Sequence, residues 1–124
     1  MRKLFALLAA LAIVGCSKSP TMTTVHGKSL HHWLSALTDK DPKVRKKAAD
    51  VLGNVGVADP AVLPALTEAL KDRDPQVRAQ AVQSLLKIGP AAEQAVPALT
   101  QACSDRDALV RAHAAKALER IQKK

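Results

Sequence analysis

Apolar residues between positions 42 and 56 recur with the spacing of one face of a helix. Val44, Ala48, Val51, Leu52 and Val55 stand at i, i+4, i+7, i+8 and i+11. This spacing is typical of an amphipathic helix that buries one side and leaves the other in water. The residues between them are mostly polar, so the segment is expected to lie at the surface of a helical domain.

The same pattern returns twice, at a fixed interval of about 33 residues, which is a repeat length typical of helical arrays. The run Asp-Pro-x-Val-Arg begins at Asp41 and again at Asp74, and a third copy begins at Asp107 with alanine in place of the proline. Each aspartate is a candidate N-cap, and proline suits the first helical position because its missing N–H is not needed there. Such a repeat indicates a solenoid in which each unit buries its apolar face against its neighbours.

A shorter apolar segment precedes each of these helices. Pro64 and Pro97 predict that the second and third short helices begin near the proline, because an interior proline would break a helical hydrogen bond. Gly53 or Gly56 is expected to end the first long helix, and Gly89 the second. The prediction is an all-α fold, a short right-handed α-solenoid of about three helix pairs. The repeats span approximately residues 29–56, 60–89 and 93–122 of a domain at 29–124.

The first residues are typical of an export signal rather than of the fold. Arg2 and Lys3 precede an unbroken apolar run from Leu4 to Val14, which is too short for a membrane span of about 20 residues. Residues 13–16, Ile-Val-Gly-Cys, resemble the bacterial lipobox. That resemblance implies a lipoprotein signal peptide at 1–15, cleavage before Cys16 and lipidation of its thiol. An ordinary signal with an incidental cysteine is the alternative.

Residues 16–28 show no helical periodicity and are rich in serine and threonine, so they are predicted to be the lipidated cysteine and a flexible tether. In lipoproteins an aspartate after the cysteine favours the inner membrane, and here that position is Ser17. The resemblance therefore implies an exported protein that is lipid-anchored in the bacterial cell envelope. In a Gram-negative host it favours the periplasmic face of the outer membrane, with the inner membrane as the alternative.

The run Asp-Pro-x-Val-Arg-x-x-Ala-x-x-x-Leu-Gly-x-x-Gly, complete from Asp41 to Gly56, resembles the short HEAT-like repeats of the type also found in phycobilisome lyases. The resemblance covers residues 29–121. It implies a ladder of side-chain bonds between adjacent repeats, and we name the residues concerned the Asp–Arg ladder. An arginine row that binds phosphate is the alternative role. The ladder residues are Asp39, Arg45, Asp72, Arg78, Asp105 and Arg111.

The net positive charge of the chain limits the kinds of molecule that are expected to bind it. The 124 residues carry 19 Lys and Arg against 11 Asp and Glu; without Arg2 and Lys3 the balance falls from +8 to +6. An exported protein does not meet genomic DNA or cytoplasmic RNA, so nucleic acid is not expected as a partner. A positive surface attracts anionic phospholipid, lipopolysaccharide or an acidic protein.

The long helices should present a polar, mostly basic face to a partner. We expect this face to lack large apolar residues, and therefore to bind weakly, because tight interfaces need such anchors. A plain solvated surface is the alternative. The residues predicted to face a partner are Lys43, Lys47, Gln76, Gln80, Gln83, Lys87, His113, Lys116 and Arg120.

No arrangement of residues predicts catalysis, a cofactor or a metal site. The serines lack a Gly-x-Ser-x-Gly context, and no phosphate-binding loop is present. His31 and His32 are adjacent, so on a helix they point in different directions and do not share a metal easily. Cys103 occupies an apolar position and is expected to act as a small hydrophobe.

The sequence therefore predicts a lipid-anchored envelope protein that acts as a non-catalytic protein-protein interaction or scaffolding module. The alternative is a small accessory subunit of an envelope enzyme or transport complex.

Overall fold

The computed structural model describes residues 24–123. The predicted signal peptide at 1–15, Cys16 and residues 17–23 of the predicted tether lie outside the described residues. Helices of alternating short and long length follow one another along the described part of the chain. They are α1 (Leu30–Ala36), α2 (Pro42–Val55), α3 (Val62–Ala69), α4 (Pro75–Ile88), α5 (Val96–Ala102) and α6 (Ala108–Gln122).

The helices pack as three successive pairs, each made of one short and one long helix. The long helices α2, α4 and α6 contact one another directly and form a continuous layer, and the short helices pack mainly against that layer. Leu52, Leu66, Leu85 and Leu99 are fully buried between the two layers. The predicted fold, an all-α solenoid with one helix pair per sequence repeat, is confirmed.

Side-chain caps fix the start of each long helix. The carboxylates of Asp41, Asp74 and Asp107 accept hydrogen bonds from backbone N–H groups in the first turn of α2, α4 and α6. These bonds satisfy donors that have no partner inside the helix. The predicted N-caps are therefore confirmed.

Two glycines end the first two long helices. Gly56 and Gly89 have φ angles of 61° and 72°, a left-handed region that other residues rarely adopt, and they lead into the 3-10 segments Gly56–Ala58 and Gly89–Ala95. Gly53, the other candidate, lies inside α2. The short helices α3 and α5 begin beside Pro64 and Pro97, as predicted.

The prediction that the flexible tether extends to residue 28 is wrong for residues 24–28. Instead of a tether they contribute to a two-stranded antiparallel hairpin, β1 (Thr24–Val25) with β2 (Lys28–Ser29), which turns through His26 and Gly27 at positive φ. The indole N–H of Trp33 donates to the Val25 carbonyl at 2.9 Å, which attaches the hairpin to α1. A buried tryptophan needs an acceptor for its N–H, and the hairpin supplies it.

Among residues 24–123, the structure contains no helix with the length and apolar character needed to span a membrane.

Candidate partner-binding surface

Two arginine–aspartate pairs of the Asp–Arg ladder join neighbouring repeats, and we call each such pair a rung. Arg45 binds Asp72 through two parallel hydrogen bonds, Nε to Oδ2 at 2.9 Å and Nη2 to Oδ1 at 3.1 Å. Arg78 binds Asp105 in the same way, with both distances at 3.0 Å. Only 5% and 6% of the two arginine side chains are exposed. A planar guanidinium matches a carboxylate in this arrangement, which fixes the spacing of the repeats.

Each of these arginines also binds the loop before its own helix. Nη1 of Arg45 donates to the carbonyl of Asp39 at 2.8 Å, and Nη1 of Arg78 donates to the carbonyl of Asp72 at the same distance. The buried guanidiniums thus have their donors directed at protein acceptors on both sides. Arg45 and Arg78 are therefore structural, and the alternative role in phosphate binding does not fit them.

The ladder also changes the ionisation of its members. The hydrogen bonds that Arg45 donates to the Asp72 carboxylate raise the pKa of Arg45 above its usual value. For Asp105, burial by itself would raise the pKa. The backbone N–H of Asp107 and the guanidinium of Arg78 favour the charged carboxylate more strongly, so the pKa of Asp105 lies below its usual value.

This lowered pKa predicts that acid weakens the repeat interface. A carboxylate with a depressed pKa in the folded state adds stability that is fully present above the unfolded pKa of about 3.9, and that is lost as the pH falls through the folded pKa. We expect urea denaturation midpoints of the wild type to fall more steeply below about pH 4 than those of Asp105→Asn. Parallel pH dependence of the two proteins would contradict the prediction.

The two outer members of the ladder lack a side-chain partner within residues 24–123. Arg111 is exposed, and its Nη1 donates to the carbonyl of Asp105 at 2.6 Å. Asp39 is exposed, and its Oδ1 accepts from the backbone N–H of Asp41 at 2.9 Å. Within the described residues, the ladder that the resemblance implies therefore joins repeats at Arg45 and Arg78 but not at Asp39 or Arg111.

Polar side chains on the long helices form a second set of contacts between repeats. Nζ of Lys87 donates to Oδ1 of Asn54 at 2.8 Å and lies 3.7 Å from Oδ1 of Asp50. Gln80 donates to Asp50 at 3.4 Å. The nine predicted partner-facing residues all lie on α2, α4 and α6, but Gln80 and Lys87 serve partly to join neighbouring helices.

A groove runs between α4 and α6 on this face, which we call the α4–α6 groove. Its volume is about 450 Å³. A second hollow of about 440 Å³ adjoins it and shares Leu86, Lys116 and Arg120 with it. The groove therefore brings together five of the nine predicted residues. Its lining residues are Gln83, Leu86, Lys87, His113, Lys116 and Arg120.

The groove is basic, and two of its cations are free to meet a ligand. Lys116 and Arg120 are exposed and form no ion pair with any residue between 24 and 123. The side chain of Gln83 lies 3.4 Å from Nδ1 of His113 across the groove. The predicted residues Lys43, Lys47 and Gln76 are exposed on α2 and α4, outside the groove lining.

The expectation that this face lacks large apolar residues is wrong. Leu86 is half-buried in the groove. Leu109 is 49% exposed and lies one turn before His113 on α6. The sequence did carry a signal for Leu109, because the equivalent positions in the other repeats are Lys43 and Gln76. Glu119, which lines the adjoining hollow, was also missed.

Within the part of the chain that the structure describes, no group of three or more His, Cys, Asp or Glu residues is arranged to hold a metal ion. The groove instead offers amine, guanidinium, imidazole and amide donors around a small apolar floor. These groups can bind carboxylates and one or two apolar side chains of a partner.

Comparisons with known proteins agree with the geometry. A family model described as HEAT repeats matches residues 30–119. Among solved structures, the crystal structure of an engineered protein from the Northeast Structural Genomics Consortium is similar, with a TM-score of 0.64 and 25% identity over 75% of this chain. The match covers 45% of the engineered protein, so the chain spans about half of its length. No curated protein matches the chain in sequence.

Proposed function

Because this chain belongs to the HEAT repeat family, we propose that it is a non-catalytic protein-protein interaction module whose α4–α6 groove binds an acidic segment of a partner protein. We further propose that a lipid on Cys16 anchors it in the bacterial cell envelope, at the periplasmic face of the outer membrane. HEAT repeats typically mediate protein-protein interactions, which supports the first part.

The observation that carries the binding proposal is the pair of free cations beside an apolar floor. Lys116 and Arg120 line the groove with Leu86, and neither forms an ion pair with a carboxylate of residues 24–123. Positive charges along a groove attract an acidic segment and orient it during the encounter. Leu86 then offers a contact for one apolar side chain, which adds selectivity for a peptide over a small anion.

Binding is expected to be weak for a single copy. The groove is shallow, and its exposed charges lose little water when a partner binds, so each contact adds little. A lipid anchor would hold the module close to a partner in the same membrane and raise its effective concentration. Weak binding in the groove is therefore sufficient when a lipid anchor keeps the module and its partner at the same membrane.

Reversing two groove charges should weaken the binding of an acidic peptide. We expect Lys116→Glu/Arg120→Glu to raise the dissociation constant for a fluorescent peptide, built of glutamates with one central leucine, by about tenfold, since two exposed charge pairs of up to about 1 kcal/mol each are lost together. Fluorescence anisotropy measures the change. The matched control is Arg73→Glu/Arg106→Glu, which makes the same change in net charge at two positions outside the groove lining.

The control decides between a site and a general charge effect. A large loss in the groove variant with a small loss in the control supports the proposal. Equal losses in both variants would contradict it, because they would mean that only net charge matters. A stoichiometric complex recovered from cells in mild detergent would favour the accessory-subunit alternative.

Replacing Cys16 by serine should change the location of the protein and leave its fold intact. Without the thiol no diacylglycerol can be attached, and two or three acyl chains are needed for stable anchoring. We expect Cys16→Ser to leave the membrane fraction, to lose incorporation of labelled palmitate and to keep the helical circular dichroism of the wild type. Retention of the variant in the membrane after a high-salt wash would contradict lipid anchoring.

A further inference from the structure

The two closed rungs of the Asp–Arg ladder have the same geometry. At the two ends of the ladder, within the described residues, one guanidinium and one carboxylate have no side-chain partner. In the two closed rungs the arginine pairs with an aspartate of the following repeat, Arg45 with Asp72 and Arg78 with Asp105. Within residues 24–123, Arg111 has no such carboxylate and Asp39 has no such guanidinium.

Arg111 is held in the same way as the arginines of the closed rungs. Its Nη1 donates to the carbonyl of Asp105, just as Nη1 of Arg78 donates to the carbonyl of Asp72. The local bond that orients the guanidinium is therefore present. The missing part is the carboxylate that the next repeat supplies elsewhere in the stack.

Asp39 is oriented like the aspartates of the closed rungs. Its Oδ1 accepts from the N–H of Asp41 at 2.9 Å, and Asp72 and Asp105 accept from Asp74 and Asp107 at the same distance. The carboxylate of Asp39 thus accepts the same backbone hydrogen bond as the two aspartates that bind an arginine. Its negative charge is of the kind that would pair with the Arg111 guanidinium.

The surfaces around these two residues also complement each other. On α6, Ala112 and Ala115 are exposed, whereas Ala79 and Val82, their equivalents on α4, are buried. On the first repeat, Val44 is only half-buried, whereas its equivalent Val77 is fully buried. One end of the stack therefore presents small residues on α6, and the opposite end presents an incompletely covered valine.

We propose that the face of α6 around Arg111 binds the first repeat of a second copy of this chain, with the second copy's Asp39 completing the guanidinium pair. A second copy of this chain is the occupant that fits. The corresponding faces of α2 and α4 are each covered by the next repeat of this chain, so the face of α6 should accept a repeat of the same kind. Charge complementarity at the ladder residues sets the register of the contact. The face is distinct from the α4–α6 groove, so the inference does not rest on the proposed function.

Such a contact is head-to-tail. It uses different surfaces on the two copies and therefore produces a ring or an open series of oligomers rather than a two-fold symmetric dimer. The free ends of one oligomer again carry an open Arg111 and an open Asp39. Self-association should accordingly increase continuously with concentration.

Charge reversal with a complementary mixture tests this arrangement. In sedimentation velocity of the full chain in mild detergent, we expect the wild type to show concentration-dependent growth in size. Arg111→Glu and Asp39→Arg should each raise the dissociation constant about tenfold or more, because each replaces an attractive pair of charges at the contact with a repulsive one. An equimolar mixture of the two variants should restore association. The two introduced charges then attract each other, and the unchanged Arg111 of one variant still meets the unchanged Asp39 of the other.

Arg106→Glu is the matched control, because Arg106 takes no part in a rung. It should associate like the wild type. Asp39→Asn is a second variant at the aspartate of the contact. It removes the negative charge and keeps an oxygen that can accept from the Asp41 N–H. Circular dichroism checks that each variant folds. A wild type that remains monomeric at its highest soluble concentration would overturn the proposal, as would an Arg111→Glu variant indistinguishable from Arg106→Glu or a mixture that fails to recover.

Discussion

Replacing Arg78 by alanine is expected to lower the free energy of unfolding by about 3–5 kcal/mol, because the change leaves a partly buried carboxylate without its partner. The Arg78 guanidinium makes two bonds to Asp105 and one short bond to the carbonyl of Asp72. Its side chain is only 6% exposed, so water cannot easily replace these bonds. Urea denaturation followed by circular dichroism measures the loss.

The chain contains its own control for this substitution. Arg111 occupies the equivalent position on α6 but is exposed, and its one side-chain bond within the described residues is to the carbonyl of Asp105. Arg111→Ala should change the unfolding free energy by no more than about 0.5 kcal/mol, as is usual for surface positions. Similar losses for Arg78→Ala and Arg111→Ala would mean that the ladder does not hold the repeats together.

Replacing Gly53 by alanine is expected to destabilise the fold by about 2 kcal/mol, because overpacking of a tight interface outweighs the better helix propensity of alanine. A Cβ atom at Gly53 would lie 2.6 Å from both Cβ and Oγ of Ser84 and 3.0 Å from its Cα. Neither Cβ nor Cα can move without moving α4. The hydroxyl of Ser84 also donates to the carbonyl of Ala49 at 2.7 Å, which binds α4 to α2.

Asn54→Ala provides the neighbouring control in the same helix, at an exposed position. Its expected loss is about 0.5 kcal/mol or less, including the bond from Lys87. The double variant Gly53→Ala/Ser84→Gly should be more stable than the sum of the two single changes predicts, because Ser84→Gly removes two of the three close atoms. Additive losses would show that Gly53 does not mark a close contact between α2 and α4.

The helices could be predicted from the sequence because the information for them is local and repeated. The apolar spacing around Val51, the N-cap aspartates and the glycines that close α2 and α4 each act within a few residues of where they stand. Repetition at a fixed interval then indicated which units are neighbours. The resemblance to HEAT-like repeats implied the ladder, and the two closed rungs at Arg45 and Arg78 lie where neighbouring repeats meet.

The features that were missed depend on contacts between residues that no local pattern connects. The hairpin at residues 24–29 is attached by one bond from Trp33 to Val25, and nothing in its composition indicated order. The close contact at Gly53 could not be predicted from the sequence, because the atoms that it meets belong to Ser84 on the neighbouring helix. The groove depends on how Leu86 and Arg120 approach each other across two repeats.

The measurement that tests the account most directly is a scan of partner contacts in intact cells with a photoreactive amino acid. Probes at Gln83 and Lys116 report on the α4–α6 groove, and probes at the exposed residues Glu68 and Gln101 report on the short-helix layer. We predict that one partner protein is trapped at the groove positions, that it is not trapped at Glu68 or Gln101, and that Arg120→Glu reduces its capture from Gln83. Equal trapping from both layers, or trapping only from the short-helix layer, would contradict the claim that the long-helix face of this HEAT repeat domain binds its partner.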